Sequence, residues 1–188
     1  EADLILINTC SVRDHAEQRI RKRLNELGFL KKKKPGLQIG LLGCMAERVK
    51  EKLLHEESAL DFIAGPDAYR SLPTLIQEAT FGKTAFNVML STEETYDDID
   101  PIRYDTNGIS AFISIMRGCN NFCTYCVVPY TRGRERSRSS QTIIHEAQQL
   151  INQGYKEITL LGQNVNSYRS EENGEVVNFA KLLEKVAL

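Results

Sequence analysis

The chain has 188 residues, 41% of them hydrophobic and 26% charged. That composition excludes wholesale disorder, a collagen-like fibre and a disulfide-dense miniprotein, and no apolar run approaches the roughly 18 residues that a membrane-spanning helix needs. Twenty-four basic against 25 acidic residues give a net charge of −1, so bulk charge names no polyanionic partner and only local clusters could.

Leu4–Ile7 is a short apolar run ending at Asn8–Thr9–Cys10, and the spacing of Ala16, Ile20, Leu24 and Leu27 predicts a helix after it. Gly28, Lys31–Lys34 and Pro35–Gly36 are stop signals for that helix. A second strand is predicted over Leu37–Leu42, ending in Gly43–Cys44, and then a helix over Ala46–His55 with Val49 and Leu53 on one face. Asp61–Ala64 is the third strand. Gly65–Pro66–Asp67 opens a third helix with Tyr69, Leu72, Leu75, Ile76 and Ala79 inward, tightened or kinked by Pro73. Alternating strands and helices predict a parallel sheet with crossover helices. Residues 83–110 lose the helical period and carry Glu93, Glu94, Asp97, Asp98 and Asp100; they read as a connection with a solvated acidic face and a candidate strand at Ala85–Met89. A second unit starts at Ala111 with a strand over Phe112–Met116, a Gly118–Cys126 loop and a polar stretch to Ser140. A helix over Gln141–Gln153 follows, with Ile143, Ala147, Leu150 and Ile151 inward, then a strand at Glu157–Leu161 and a helix over Asn178–Val186. Two parallel strands bury too little apolar surface to stand alone, so the remainder of a barrel or sheet is expected outside the chain. Glu1 is not an initiating residue and no signal peptide is seen, so the chain is expected to be an internal piece of a longer protein.

Five cysteines, an odd number with three inside eight residues, argue against a secreted disulfide framework and for cytoplasmic metal or redox chemistry. Cys119, Cys123 and Cys126 stand as C-x3-C-x2-C in a loop leaving the C-terminal end of a strand, where parallel α/β folds place their chemistry. Three thiolates in one loop can hold three corners of a cubane iron–sulfur cluster and leave one iron open. A zinc site completed by a further ligand, or three core cysteines on one helical face, are the alternatives. Cys10 and Cys44 occupy equivalent places, each at a strand's end just before a helix, where neighbouring parallel strands bring two thiols to one sheet edge. A helix N-terminus there favours the thiolate form. Two ligands are too few for a cluster, and the third unit has Gly65 at that place, so a further ligand must come from elsewhere. The other reading is two small buried hydrophobes.

Arg132, Arg134, Arg136 and Arg138 alternate, which in an extended segment puts all four on one side as a phosphate track or carboxylate grip. Lys31–Lys34 reads as a solvated cap complementing the helix dipole. His15, His55 and His145 fall in predicted helices and read as surface or packing residues.

The cysteine spacing, the strand before it and Tyr125 ahead of the last cysteine resemble the radical S-adenosylmethionine superfamily. In that superfamily S-adenosylmethionine chelates the open iron and is cleaved reductively to methionine and a 5′-deoxyadenosyl radical. More narrowly, Asn8–Thr9–Cys10 with Ser11–Val12–Arg13, Leu42–Gly43–Cys44–Met45, Gly65–Pro66–Asp67 and the run Ile115–Arg138 resemble the methylthiotransferase family, in particular its tRNA branch.

The resemblance implies an α/β chain truncated at both ends. A Rossmann-like parallel βα domain lacking its first βα unit (1–82) is expected, then a linker (83–110), then the first βα units of a radical S-adenosylmethionine partial TIM barrel (111–188). A small RNA-binding β-domain is expected beyond Leu188. It also implies two 4Fe–4S clusters: an auxiliary one at Cys10, Cys44 and an upstream cysteine, and the radical one at Cys119, Cys123 and Cys126. Tyr125, Gly162, Gln163, Asn164 and Arg138 are the expected S-adenosylmethionine contacts. Gln163 stands where such enzymes carry the acid of a Gly-Gly-Glu-like stretch, so a side-chain carbonyl would receive the methionine amino group. The expected activity is methylthio transfer to C2 of N6-isopentenyladenosine in tRNA, by a monomeric cytoplasmic enzyme served by a flavodoxin-type or similar electron donor. A ribosomal protein or threonylcarbamoyladenosine in tRNA is the alternative substrate, and a zinc-stabilised binding module the alternative class.

Overall fold

In the computed structural model the described residues are 2–11, 13–99, 101–103, 108–172 and 174–187, the side chain of residue 51 apart. The chain is α/β and packs as two compact units, one of residues 1–91 with 123–132, the other of residues 92–122 with 133–188.

In the first unit, β1 (Leu4–Thr9), β2 (Gln38–Gly43), β3 (Phe62–Ala64) and β4 (Ala85–Asn87) form a parallel sheet in that order. β2 lies between β1 and β3 and is almost wholly buried, as its near-continuous apolar run requires. Helix α1 (Asp14–Lys33) buries Leu24 and Leu27 against Ile39, Leu41, Met45, Leu53 and Ile63, and each such side chain contributes about 1.5–3 kcal/mol on burial. Gly28 does not stop this helix. It lies inside it, opposite Ala59, and the helix runs on until Lys31 can reach Asp61 and the Ala59 carbonyl. The single helix expected over 46–55 is two short ones, α2 (Cys44–Val49) and α3 (Glu51–Glu56), because Lys50 between them takes a left-handed φ of 49°. Pro73 produces no kink. It stands in the first turn of α4 (Leu72–Thr80), where its missing N–H has no partner to lose. β4, within the stretch read as a connection, is the fourth strand of the sheet. The segment 123–132 adds α5 (Val128–Arg132), which buries Pro129 and Thr131.

The second unit rests on a two-stranded parallel sheet, β5 (Ser110–Ser114) beside β8 (Glu157–Leu161), with Ser114 opposite Leu161. β6 (Met116–Arg117) pairs antiparallel with β7 (Arg136–Ser137), and α6 (Ser140–Asn152) begins where the Ser139 hydroxyl accepts the Gln141 N–H. A hairpin not foreseen from the sequence, β9 (Arg169–Glu172) with β10 (Glu175–Asn178), precedes α7 (Phe179–Ala187). The core gathers Ile113, Ile115, Met116, Ile143, Leu150, Tyr168, Val177 and Leu182.

Two expectations for this unit are corrected. Ile151 does not face inward but is half exposed, and Glu146 is buried in the same helix, because Arg103 and Arg138 both reach it. The acidic stretch is not uniformly solvated either. Asp97 accepts from Arg138 Nε at 2.8 Å, from the Ser139 N–H at 3.2 Å and from the Thr142 hydroxyl, so it is a structural anion.

Candidate cysteine centres

The last register pair between β1 and β2 is Thr9 with Gly43, so Cys10 and Cys44 each follow directly at the same level of adjacent strands. Gly43 has φ +91°, and a Cβ there would lie 2.6 Å from both the Thr9 carbonyl oxygen and Asn8 Oδ1. Only glycine lets the chain turn this sharply into α2. The Thr9 hydroxyl ties the two strands at that point by donating to the Leu42 carbonyl at 2.6 Å. Cys44 is buried and Cys10 exposed, so a pair of core hydrophobes does not describe them. Arg132 Nε donates to Cys44 Sγ at 3.2 Å.

Glu47, three residues after Cys44, went unnoticed in the sequence. It is 2% exposed, and its Oε2 has no hydrogen-bond partner. Gly65 leaves the room it occupies, since a Cβ on Gly65 would run into that oxygen. Burial pushes the Glu47 carboxyl up to about 7, with Lys50 opposing and Asp67 adding to the rise. The signal available was an acid between Ala46 and Val49 on a helix leaving an almost wholly buried strand.

The segment with Cys123 and Cys126 packs in the same unit. The Cys126 N–H donates to the Cys123 carbonyl at 2.9 Å, closing a turn that leaves Cys123 exposed and Cys126 partly buried. Tyr125, in that turn, is 92% exposed, so its ring packs into no core.

Cys119 belongs to the second unit and is held on both sides. Gly118 before it has φ +77°, and a Cβ there would lie 2.6 Å from the Gly133 carbonyl oxygen. The Gly118 N–H donates to Gln163 Oε1 at 2.7 Å and the Cys119 N–H to the Gly133 carbonyl at 3.1 Å. Beyond it, Asn120 and Glu135 exchange hydrogen bonds, Asn120 N–H to Glu135 Oε1 and Glu135 N–H to Asn120 Oδ1, both at 3.2 Å. Asn164 Nδ2 donates to the same Glu135 oxygen at 3.2 Å and to Ser167 Oγ at 2.6 Å. Gly162 lies against Met116, whose Cγ would stand 2.5 Å from a Cβ at that position. Gly162, Gln163 and Asn164 thus converge on the Cys119 loop. Neither Glu135 nor the Gln163–Gly118 bond was foreseen.

The four arginines do not share one extended face. Arg132 ends a helix, Arg134 is exposed in a loop, and Arg136 and Arg138 are buried around β7. Arg138 donates to Asp97, to Glu146 at 2.8 Å and to the Ser114 carbonyl at 2.9 Å. It does grip carboxylates, but they are the protein's own. Lys31 and Lys34 pair with Asp61 and Asp3. Exposed Arg13, Arg19 and Lys22, with His15 and Gln18, line an open hollow of about 700 Å³ beside the first half of α1. His15, His55 and His145 are helical and exposed.

Among the described residues no three His, Cys, Asp or Glu side chains gather tightly enough to hold a single metal ion. A cubane asks for something else, since each of its cysteines binds a different iron. Sulfur donors set at a sheet edge and in one loop, with a guanidinium beside one of them, suit that chemistry. Among the described residues no helix is long and apolar enough to cross a membrane.

Residues 1–65 match the family described as Uncharacterized protein family UPF0004, and residues 113–186 match the Radical SAM superfamily. The chain thus joins a UPF0004 segment to a radical S-adenosylmethionine segment, and each contains one of the glycine–cysteine corners described above. Along its whole length it is similar to proteins named tRNA-2-methylthio-N(6)-dimethylallyladenosine synthase. Identity is 57% to that of Amoebophilus asiaticus, 59% to that of Chloroherpeton thalassium and 60% to that of Bacteroides fragilis. The chain spans 41% of the length of each of these relatives. The Radical SAM match implies S-adenosylmethionine and an iron–sulfur cofactor.

Proposed function

We propose that this chain is the cysteine-bearing part of a tRNA methylthiotransferase whose full-length form adds a methylthio group to C2 of N6-isopentenyladenosine in tRNA. The observation that supports this most is identity of 57–60% along the whole chain to relatives bearing that synthase name. Cys119, Cys123 and Cys126 are the ligands of a cluster that, when bound, supplies the electron for cleaving S-adenosylmethionine. Cys10 and Cys44 are ligands of an auxiliary cluster completed by an upstream cysteine. Tyr125, Gly162, Gln163 and Asn164 serve the S-adenosylmethionine site, the last three by holding the Cys119 loop in shape. Gln163 Oε1 already accepts one N–H and keeps a second lone pair for an ammonium donor. Arg138 acts indirectly, since its guanidinium is committed to Asp97 and Glu146. The domain plan is that of residues 1–82, a connection over 83–110, and a radical domain from 111. The partners are tRNA and a flavodoxin-type or similar electron donor, in the cytoplasm, with the enzyme a monomer. Arg13, just before α1, and Arg19 and Lys22 within it offer a polyanion three cations around one open hollow.

The test is anaerobic reconstitution of the full-length protein with iron and sulfide counted, followed by assay on isopentenylated and threonylcarbamoylated tRNA. Two clusters and product from the isopentenylated tRNA alone are expected. Cys10→Ala or Cys44→Ala should remove one cluster's iron and spare S-adenosylmethionine cleavage. Stoichiometric zinc without sulfide would overturn the reading.

A further inference from the structure

Arg132 closes α5, the short helix that follows Cys126, and its Nε–H points at the sulfur of Cys44, 88 positions earlier in the chain. Both residues belong to the first unit. Cys44 is buried at the start of α2, where water competes poorly for its sulfur. A guanidinium keeps its charge at any accessible pH and delivers N–H groups in a fixed plane, so a single contact brings both a hydrogen bond and a positive charge.

We propose that Arg132 is a tuning residue for an iron–sulfur cluster ligated through Cys44, raising that cluster's reduction potential through its hydrogen bond to the sulfur. The proposal rests on the reading of Cys10 and Cys44 as auxiliary-cluster ligands. Its physical basis is simple. One-electron reduction adds a negative charge that is shared with the cysteine sulfurs, and a donor with positive charge beside one sulfur stabilises the reduced form more than the oxidised one. Hydrogen bonds to the sulfurs and local charge are among the protein's main means of setting such potentials. The same short segment contains Cys123 and Cys126, so the arginine that tunes one centre is covalently close to ligands of the other. A change in the fold of that segment would be felt at Cys44 through Arg132.

The test uses the full-length protein with Cys119, Cys123 and Cys126 all replaced by alanine, so that any remaining iron belongs to the auxiliary site. After anaerobic reconstitution, iron, sulfide and melting temperature are measured and the midpoint potential is read by an EPR-monitored redox titration. Arg132→Gln is expected to shift the midpoint to a more negative value, and Arg132→Lys to shift it less. Loss of iron from Arg132→Gln but not from Arg132→Lys would support the proposal equally, since charge would then be needed to hold the cluster at all. Equal midpoints in the parent and both variants would overturn it. A lowered melting temperature in both variants with no change of midpoint would mark a purely structural role and overturn it too. Absence of iron from the triple-alanine parent would overturn the auxiliary-cluster reading together with this one, whereas iron present with an unmoved midpoint defeats this one alone.

Discussion

Gly43–Cys44 and Gly118–Cys119 are the same local device in two different settings. Each has a glycine at positive φ whose missing Cβ lets a neighbouring carbonyl oxygen approach, and a buried cysteine directly after it. What supports them differs. The first corner continues a register set by four parallel strands over a hydrocarbon core, so its position follows from packing. The second leaves a two-stranded sheet and is fixed by side chains instead: Gln163 on Gly118, Glu135 on Asn120, and behind β5 the group of Arg138, Asp97 and Glu146. A cysteine can be placed by a sheet or by a polar clamp, and the two should fail under different insults.

The largest expected effect is on the clamp. Arg138→Met leaves Asp97 without its cation and buried Glu146 with Arg103 alone. Breaking a buried pair costs about 3–5 kcal/mol where nothing else compensates, far more than an exposed ion pair is worth, and Arg103 brings the expected loss to the lower end of that range. Urea unfolding followed by hydrogen exchange should show protection lost in α6 and β5 while β1 to β3 keep theirs. Equal loss across both units would mean that they do not differ in support.

The second prediction concerns the first corner. Glu47 has its carboxyl raised from 4.5 to about 7 by burial, so the folded state holds a proton that the unfolded chain releases. The contribution favours folding below pH 4.5 and is progressively lost as pH rises towards 7, after which the cost stays constant. By linkage this amounts to roughly 3 kcal/mol across that interval. Glu47→Gln should flatten the decline of stability between pH 5 and pH 7 measured on the apo-protein; an unchanged slope would show that Glu47 is solvated. The side chain's 2% exposure is the reason to expect a large effect.

How much of this was legible follows the range of the interactions. The parallel alternation of strands and helices, the equivalence of Cys10 and Cys44 and the inward face of α1 follow from local pattern, and the structure has all three. Pro73 was ambiguous only because Tyr69 and Leu72 fit a helical face that in fact begins as a single 3-10 turn. The hairpin β9–β10 had a signal that went unused, the Asn173–Gly174 pair between polar residues. Asp97, Glu135 and Gln163 were beyond local reading. Their partners lie 41, 15 and 45 positions away, and a carboxylate or amide in a polar stretch looks the same whether it meets water or a distant backbone. The break at Lys50 has no glycine to announce it.

The smallest expected effect has the opposite pH sign and lies in the second unit. Burial acts to raise the Glu172 carboxyl, but the Ser139 and Ser140 hydroxyls and the N–H groups of Gln141 and Ser140 outweigh it and bring the group down to about 2. The folded state therefore favours the carboxylate. Its contribution is fully present above pH 4.5 and is lost as pH falls towards 2. Glu172 is partly exposed, so solvent screening limits the net value to about 1 kcal/mol or less. Acidification should loosen the end where Glu172 holds the start of α6, while the first unit gains from protonated Glu47. Ser139→Ala with Ser140→Ala should reduce the acid sensitivity of α6 amide protection and leave β1 to β3 untouched. Acid lability of the first unit ahead of the second would break the contrast between a corner set by packing and one set by charge.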